Sequence, residues 1–218
     1  MATDTFATLG KQEAIRQLFE GTKFKPFEDP VFFHSPERSY ITTSTKSFLE
    51  GIDFDLVYFP LKHLGYKCVL ATTAELFAAM SHPRTLSICL GISAKLDFEH
   101  VKELWSGVLA AAREYGYRSL SLDIQPSKNG LAISVSATGE TTELMAKRRS
   151  AVHSKDLICV SGALGAAFLG QSLLESEKAR FENGAVKTEV LEKYKMFVGA
   201  YLKPEMSASI VDHLEEAE

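Results

Sequence analysis

The chain has 218 residues, 45% of them hydrophobic and 24% charged, with a formal net charge of -4. That length can bury a sizeable core in one domain, or in one domain plus a fragment, and the composition is that of an ordinary globular protein. An acidic balance without a basic block excludes a nucleic-acid partner; no apolar run approaches the roughly 20 residues of a membrane span, and the start, Met1-Ala-Thr-Asp-Thr-Phe6, has no signal-peptide pattern. These features predict a cytoplasmic protein with no membrane partner. The three cysteines, Cys68, Cys89 and Cys159, are widely spaced and are expected to be buried, reduced thiols.

Residues 5–20 carry Ala14, Ile15, Leu18 and Phe19 on one helical stripe, with Gly21 and Pro26 after it. A first strand is expected over 38–45. A helix follows over 61–80, with Pro60 at its start and a broad apolar face that includes Leu64, Cys68 and Leu76. A second strand, 85–92, alternates Leu86, Ile88, Leu90 and Ile92 with Thr85, Ser87, Cys89 and Gly91. A second helix over 97–115 ends at Gly116, placed as a C-terminal cap. Strands over 118–124 and 131–138 flank Asn129-Gly130, a hairpin signal. The order β-α-β-α-β-β predicts an α/β (α+β) fold, with a four-stranded mixed sheet covered by helices on one face. The other face would carry the small groups of Ser87, Cys89, Ser134 and Ser136. Residues 139–154 read as a polar linker. The apolar run 156–161 reads as a strand buried on both sides. Helices are expected over 164–181, 186–201 and 206–216.

Several stretches resemble one family. Ser44-Thr45-Lys46 ends the first strand, and Leu49-Glu50-Gly51-Ile52 and Phe54 follow it before the helix. This is similar to the thiamine-monophosphate kinase family, of the aminoimidazole-ribonucleotide-synthetase-like superfamily. There a strand ends in Thr-Thr-Asp and leads into Leu-Glu-Gly-Val/Ile-His-Phe. Lys46 stands at the family's Asp and Asp53 at its His. Asp156-Leu-Ile-Cys-Val-Ser-Gly-Ala-Leu-Gly-Ala-Ala167 and Leu202-Lys-Pro-Glu205 are similar to the opening of that family's second domain. No counterpart of its later Asp-Ile-Ser-Asp-Gly motif is found. The resemblance implies a leader helix and loop (1–30), a synthetase-like N-terminal domain (31–140), a linker (141–155) and a truncated, mostly helical second domain (156–218).

The family's chemistry is magnesium-dependent phosphoryl transfer, which needs clustered hard oxygen ligands. The resemblance places the family's carboxylate positions at Glu28-Asp29, Lys46, Glu75 and Asp123, so that a degenerate metal site of Asp29, Glu75 and Asp123 remains. Glu28-Asp29 reads equally as an acidic loop in water. Lys46 inverts a charge: two unit charges about 4 Å apart at an effective dielectric near 20 interact by about 4 kcal/mol. Lys46 is therefore expected to pair with Glu75 or Asp123 in place of an ion. Leu122 replaces a glycine that would admit phosphate. Arg149 stands at a phosphate-facing arginine of the family, and the turn Gly162–Gly165 before a helix offers backbone N–H groups to an anion; both also read as ordinary surface features. The histidines show no metal-ligand spacing, and His82, before Pro83, reads as a loop residue. No catalytic constellation is identified and no cofactor is expected.

Three functions fit. The first is a catalytically degenerate kinase relative, acting as a dimeric binding or regulatory module through its open sheet face. The second is a working ATP- and magnesium-dependent kinase with a remodelled metal site. The third is a scaffold pairing with an intact family member.

Overall fold

The computed structural model describes residues 9–24, 26, 39–150, 152–182 and 192–216. The elements are α1 (Lys11–Phe19), β1 (Ser39–Leu49), α2 (Leu61–Ala78), β2 (His82–Ile92), α3 (Phe98–Glu114), β3 (Ser119–Pro126), β4 (Ala132–Thr142), α4 (Glu143–Ser150), α5 (Ala166–Glu182), α6 (Lys195–Leu202) and α7 (Ile210–Glu216). The strands form one mixed sheet in the order β1-β4-β2-β3. β4 is antiparallel to both β1 and β2, and β2 is parallel to β3.

The period-2 patterning of the strands becomes a two-faced sheet. Leu86, Ile88 and Leu90 of β2 and Ile133, Val135 and Ala137 of β4 are buried beneath α2 and α3. The helix pair packs unusually close. A methyl group added at Gly65 of α2 would stand 2.1 Å from the Leu104 carbonyl oxygen, and one at Gly107 of α3 would stand 1.8 Å from that of Lys62. Only glycine allows this backbone approach. Around it lie Leu64, Val69, Leu104 and Val108, all nearly inaccessible to solvent. α3 starts with the Asp97 side chain accepting from the His100 N–H at 3.0 Å and ends before Gly116, which has φ +74°, as its cap role requires.

α1 docks on α3. The Trp105 indole N–H donates to the Leu18 carbonyl at 2.8 Å, and the Phe19 and Trp105 rings lie 5.3 Å apart. At the other end of the helix layer, α6 seats Tyr201 against Phe59, with the Lys67 ammonium 3.6 Å from the Tyr201 ring centroid. α5 is tied to the loop before α2 by Lys178–Asp55 and Tyr58–Glu175.

The structure departs from the sequence-based expectations in definite places. Asn129-Gly130 does turn the chain, with Gly130 at φ +94°. The strands it joins are nevertheless not neighbours, because β4 crosses over β2 to lie between β2 and β1. The linker predicted over 141–155 begins inside β4 and continues as α4, where the Thr142 hydroxyl accepts from the Met145 N–H at 3.2 Å and Lys147 pairs with Glu143 at 2.8 Å. The segment 156–161 is not a strand. Among the described residues no strand pairs with it, Asp156 bonds only locally to His153, and Leu157 and Ile158 are 91% and 93% exposed. Strand propensity is not enough without a neighbouring strand to hydrogen-bond. Cys68 is buried, but Cys89 and Cys159 are exposed; Cys89 lies on the uncovered face of β2. His82 is the first residue of β2 rather than a loop residue. Among the described residues no helix is long and apolar enough to cross a membrane.

The α2–α3 contact yields a test. Gly107→Ala is expected to lower the urea midpoint by an amount equivalent to about 1–3 kcal/mol, with an unchanged m-value, because the core is overpacked rather than expanded. An unchanged midpoint would contradict the close approach.

Candidate functional site

The uncovered face of the sheet is lined with hydroxyls that pair across every strand boundary. Thr45 meets Ser136 and Ser47 meets Ser134, each at 3.1 Å; Thr85 meets Thr138 at 2.7 Å; Ser121 donates to Ser87 at 2.9 Å. Asp123 belongs to this face, because its β2 partner Cys89 and the β4 residue opposite that, Ser134, are both exposed. The Asp123 carboxylate accepts from Lys11 of α1 and from the Gln125 amide, the latter at 3.0 Å. First the lysine and then the amide hold it below the usual carboxylate range.

The second carboxylate, Glu75, lies near the C-terminal end of α2, on the covered side. Lys46 of β1 and the Ser44 hydroxyl both donate to it. These bonds, the lysine's the larger, hold the Glu75 carboxyl below its usual range. The residues just before it, Thr72 and Thr73, are fully buried and donate back to the Cys68 and Val69 carbonyls. They serve the helix and the core, and Glu75 is the exposed residue of that turn.

The two carboxylates do not meet within one chain. Lys46 is on one edge strand and Asp123 on the other, with β4 and β2 between. Three strand spacings make roughly 14 Å, and the two side chains leave opposite faces. Sequence reasoning left Lys46 to pair with Glu75 or Asp123, and the structure pairs it with Glu75. Sequence reasoning missed Lys11, whose pairing with a residue 112 positions away has no local signal.

Other predicted positions take structural roles. Asp53 folds back so that its carboxylate accepts from the Leu49 N–H at 2.7 Å, closing the turn at Gly51, which has φ +81°. Glu50 accepts from the Leu131 N–H at 2.6 Å and fixes the β3–β4 connection. Leu122 packs, partly buried, against the core. Gly162 and Gly165 have φ near +85° in an exposed turn that leads into α5. Arg149 belongs to α4, but its side chain lies outside the described residues, as does Asp29.

A cavity of about 750 Å³ opens where the parallel strands β2 and β3 end. Ile92, Ile124 and Pro126 give it an apolar floor, and Lys11, Lys95 and Ser127 give it a polar rim. Crevices at the C-terminal ends of parallel strands are common ligand positions. Lys11 therefore links the cavity to Asp123.

Residues 27–141 match the family model described as AIR synthase related protein, N-terminal domain. A thiamine-monophosphate kinase of Bacillus subtilis is 24% identical over 162 residues, which span 74% of this chain and 48% of that protein. One of Aquifex aeolicus is 29% identical over 173 residues, spanning 79% of this chain and 54% of that protein. The crystal structure of a thiamine monophosphate kinase from Aquifex aeolicus superposes with a TM-score of 0.63 at 22% identity, covering 81% of this chain and 56% of that one. The chain thus spans about half the length of the curated relatives it matches.

The lysine pairings can be titrated. Both folded-state values lie below the unfolded ones, so each pairing stabilises the fold above the ordinary carboxylate range, about pH 4, and the contribution is lost as pH falls through the folded value. Carbon-13 NMR is expected to show Asp123 and Glu75 titrating low. Lys11→Ala should raise only Asp123, and Lys46→Ala only Glu75. An Asp123 that does not respond to Lys11→Ala would refute that pairing.

Proposed function

We propose, from the premise that this chain belongs to the AIR synthase related family through its N-terminal domain at residues 27–141, that it is a thiamine-monophosphate-kinase-like protein whose metal-holding carboxylates have been neutralised by lysines. It acts as a dimeric binding or regulatory module and not as a phosphotransferase. The observation that carries this reading is that each carboxylate is already paired with an ammonium group, Glu75 with Lys46 and Asp123 with Lys11. Phosphoryl transfer depends on positioning and on metal charge, with little covalent help from the protein. A site whose carboxylates are already paired with ammonium groups offers a magnesium–phosphate complex little to bind.

The dimer rests on the uncovered sheet face. Its paired hydroxyls leave few unmet hydrogen bonds, and its small side chains allow a second flat surface to approach. The binding function rests on the cavity at the end of β2 and β3. A second reading, a scaffold that pairs with an intact family member, is favoured by the exposed apolar residues Leu157, Ile158, Val160 and Leu164. Co-purification with an intact family kinase, lost on Ile158→Asp, would promote that reading over the homodimer.

Calorimetry with ATP and magnesium and an assay for thiamine diphosphate test the main reading. The unmodified chain is expected to bind no magnesium tightly and to give no product. Lys46→Asp, which frees Glu75 and adds a second carboxylate beside it, is expected to improve magnesium binding before any turnover appears. Magnesium-dependent product formation abolished by Asp123→Ala would instead establish a working kinase. Sedimentation is expected to show a dimer for the unmodified chain and a monomer for Ser134→Arg; a monomeric unmodified chain at micromolar concentration rules out the dimer.

A further inference from the structure

The C-terminal helix α7 is short, and Val211 is its buried anchor. Asp212 and Glu215 are three residues apart on it and so share a helix face. That face meets His82, the first residue of β2: the ring Nε2 lies 3.1 Å from a Glu215 oxygen and Nδ1 lies 3.7 Å from an Asp212 oxygen. All three side chains keep access to solvent. A neutral imidazole has one N–H and one lone pair. Placed between two carboxylates, that lone pair faces negative charge, and a cation relieves the conflict.

We propose that His82, Asp212 and Glu215 form a divalent-cation site, suited to zinc, that fastens α7 to the start of β2. One ligand atom from each residue can be chosen so that the three lie within 4.8 Å of one another. Tetrahedral zinc, with bonds of about 2.0–2.2 Å, sets its ligands roughly 3.4 Å apart. Closing that difference takes a shift of about 1 Å or a little more, which side-chain rotation supplies. One imidazole and two carboxylates suit zinc, with water as the fourth ligand, and not calcium, which takes six to eight oxygens. The charges also fit, since a dication balances the two carboxylates. His100 offers a contrast: its carboxylate neighbour Asp97 is already used in capping α3. The consequence is mechanical. Once loaded, the ion joins a segment near the chain's end to the edge of the helix-covered domain, 130 positions away in sequence, and adds a metal tie to the Val211 packing and the His82–Glu215 bond that already hold α7.

The experiment is zinc calorimetry on the full chain carrying Cys89→Ser and Cys159→Ser, so that exposed thiols do not contribute. One ion per chain is expected. His82→Gln should abolish this binding, and Asp212→Asn and Glu215→Gln should each weaken it at least about tenfold. Zinc should raise the melting temperature of the parent and leave that of His82→Gln unmoved. The absence of one-to-one binding, or binding of equal strength in all three variants, overturns the site. Cobalt(II) added to the parent gives a reading that does not depend on any ligand variant folding: visible bands of tetrahedral nitrogen–oxygen ligation support the site, and their absence overturns it.

Discussion

The structure depends on the approach of α2 and α3 at Gly65 and Gly107. Two helices whose backbones nearly touch form one thin layer, and that layer covers only one face of a four-stranded sheet. Trp105 and Phe19 then bring α1 onto the outer side of α3, while Tyr201 and Phe59 bring α6 onto the opposite end of α2. Every later feature follows from this one-sided coverage. The far face is left with short hydroxyl side chains, and those hydroxyls satisfy one another across the strands instead of being buried.

The same architecture separates the two acids Glu75 and Asp123. Glu75 is on the covered side near one edge of the sheet, and Asp123 is on the open side at the other. Each has acquired a lysine from a different element, Lys46 from β1 and Lys11 from α1. Exposed ion pairs of this kind contribute little to stability. Their consequence is chemical: they set the charge that an incoming cation or phosphate meets. Lys46 also stands in the strand that leads into Leu49–Phe54, so the charge reversal sits on the same scaffold that carries the resemblance to the kinases.

The C-terminal part repeats the close approach. α5 and α6 pack backbone to backbone where Gly170 of α5 meets the Phe197 carbonyl of α6, and α5 is held to the loop at Asp55 and Tyr58 by an ion pair and a hydrogen bond. Between α4 and α5 the apolar run 157–164 has no sheet to enter and remains exposed. Apolar residues in water are ordinary one at a time; here Leu157, Ile158, Val160 and Leu164 lie exposed close together along the chain.

The sequence by itself determined the elements from α1 to β4, the covered face of the sheet and the family. The elements and the covered face depend on local periodicities, with apolar residues every second position in strands, a 3.6-residue stripe in helices, and glycines where helices end or turn; the family rests on the resemblance of motifs such as Leu49-Glu50-Gly51-Ile52. The sequence also pointed to Lys46 beside an acid, Glu75 or Asp123, because a charge reversal at a matched motif position needs an acid near it; the fold chose Glu75. Tertiary structure alone decided the rest. That β4 lies between β1 and β2 cannot be read from Asn129-Gly130, since a turn residue fixes a reversal and not a neighbour. That 156–161 stays unpaired depends on whether a strand is available to bond it, which composition does not encode. Lys11 with Asp123, and His82 with Asp212 and Glu215, join residues more than a hundred positions apart. Pairings at that separation are set by packing and have no signature along the chain.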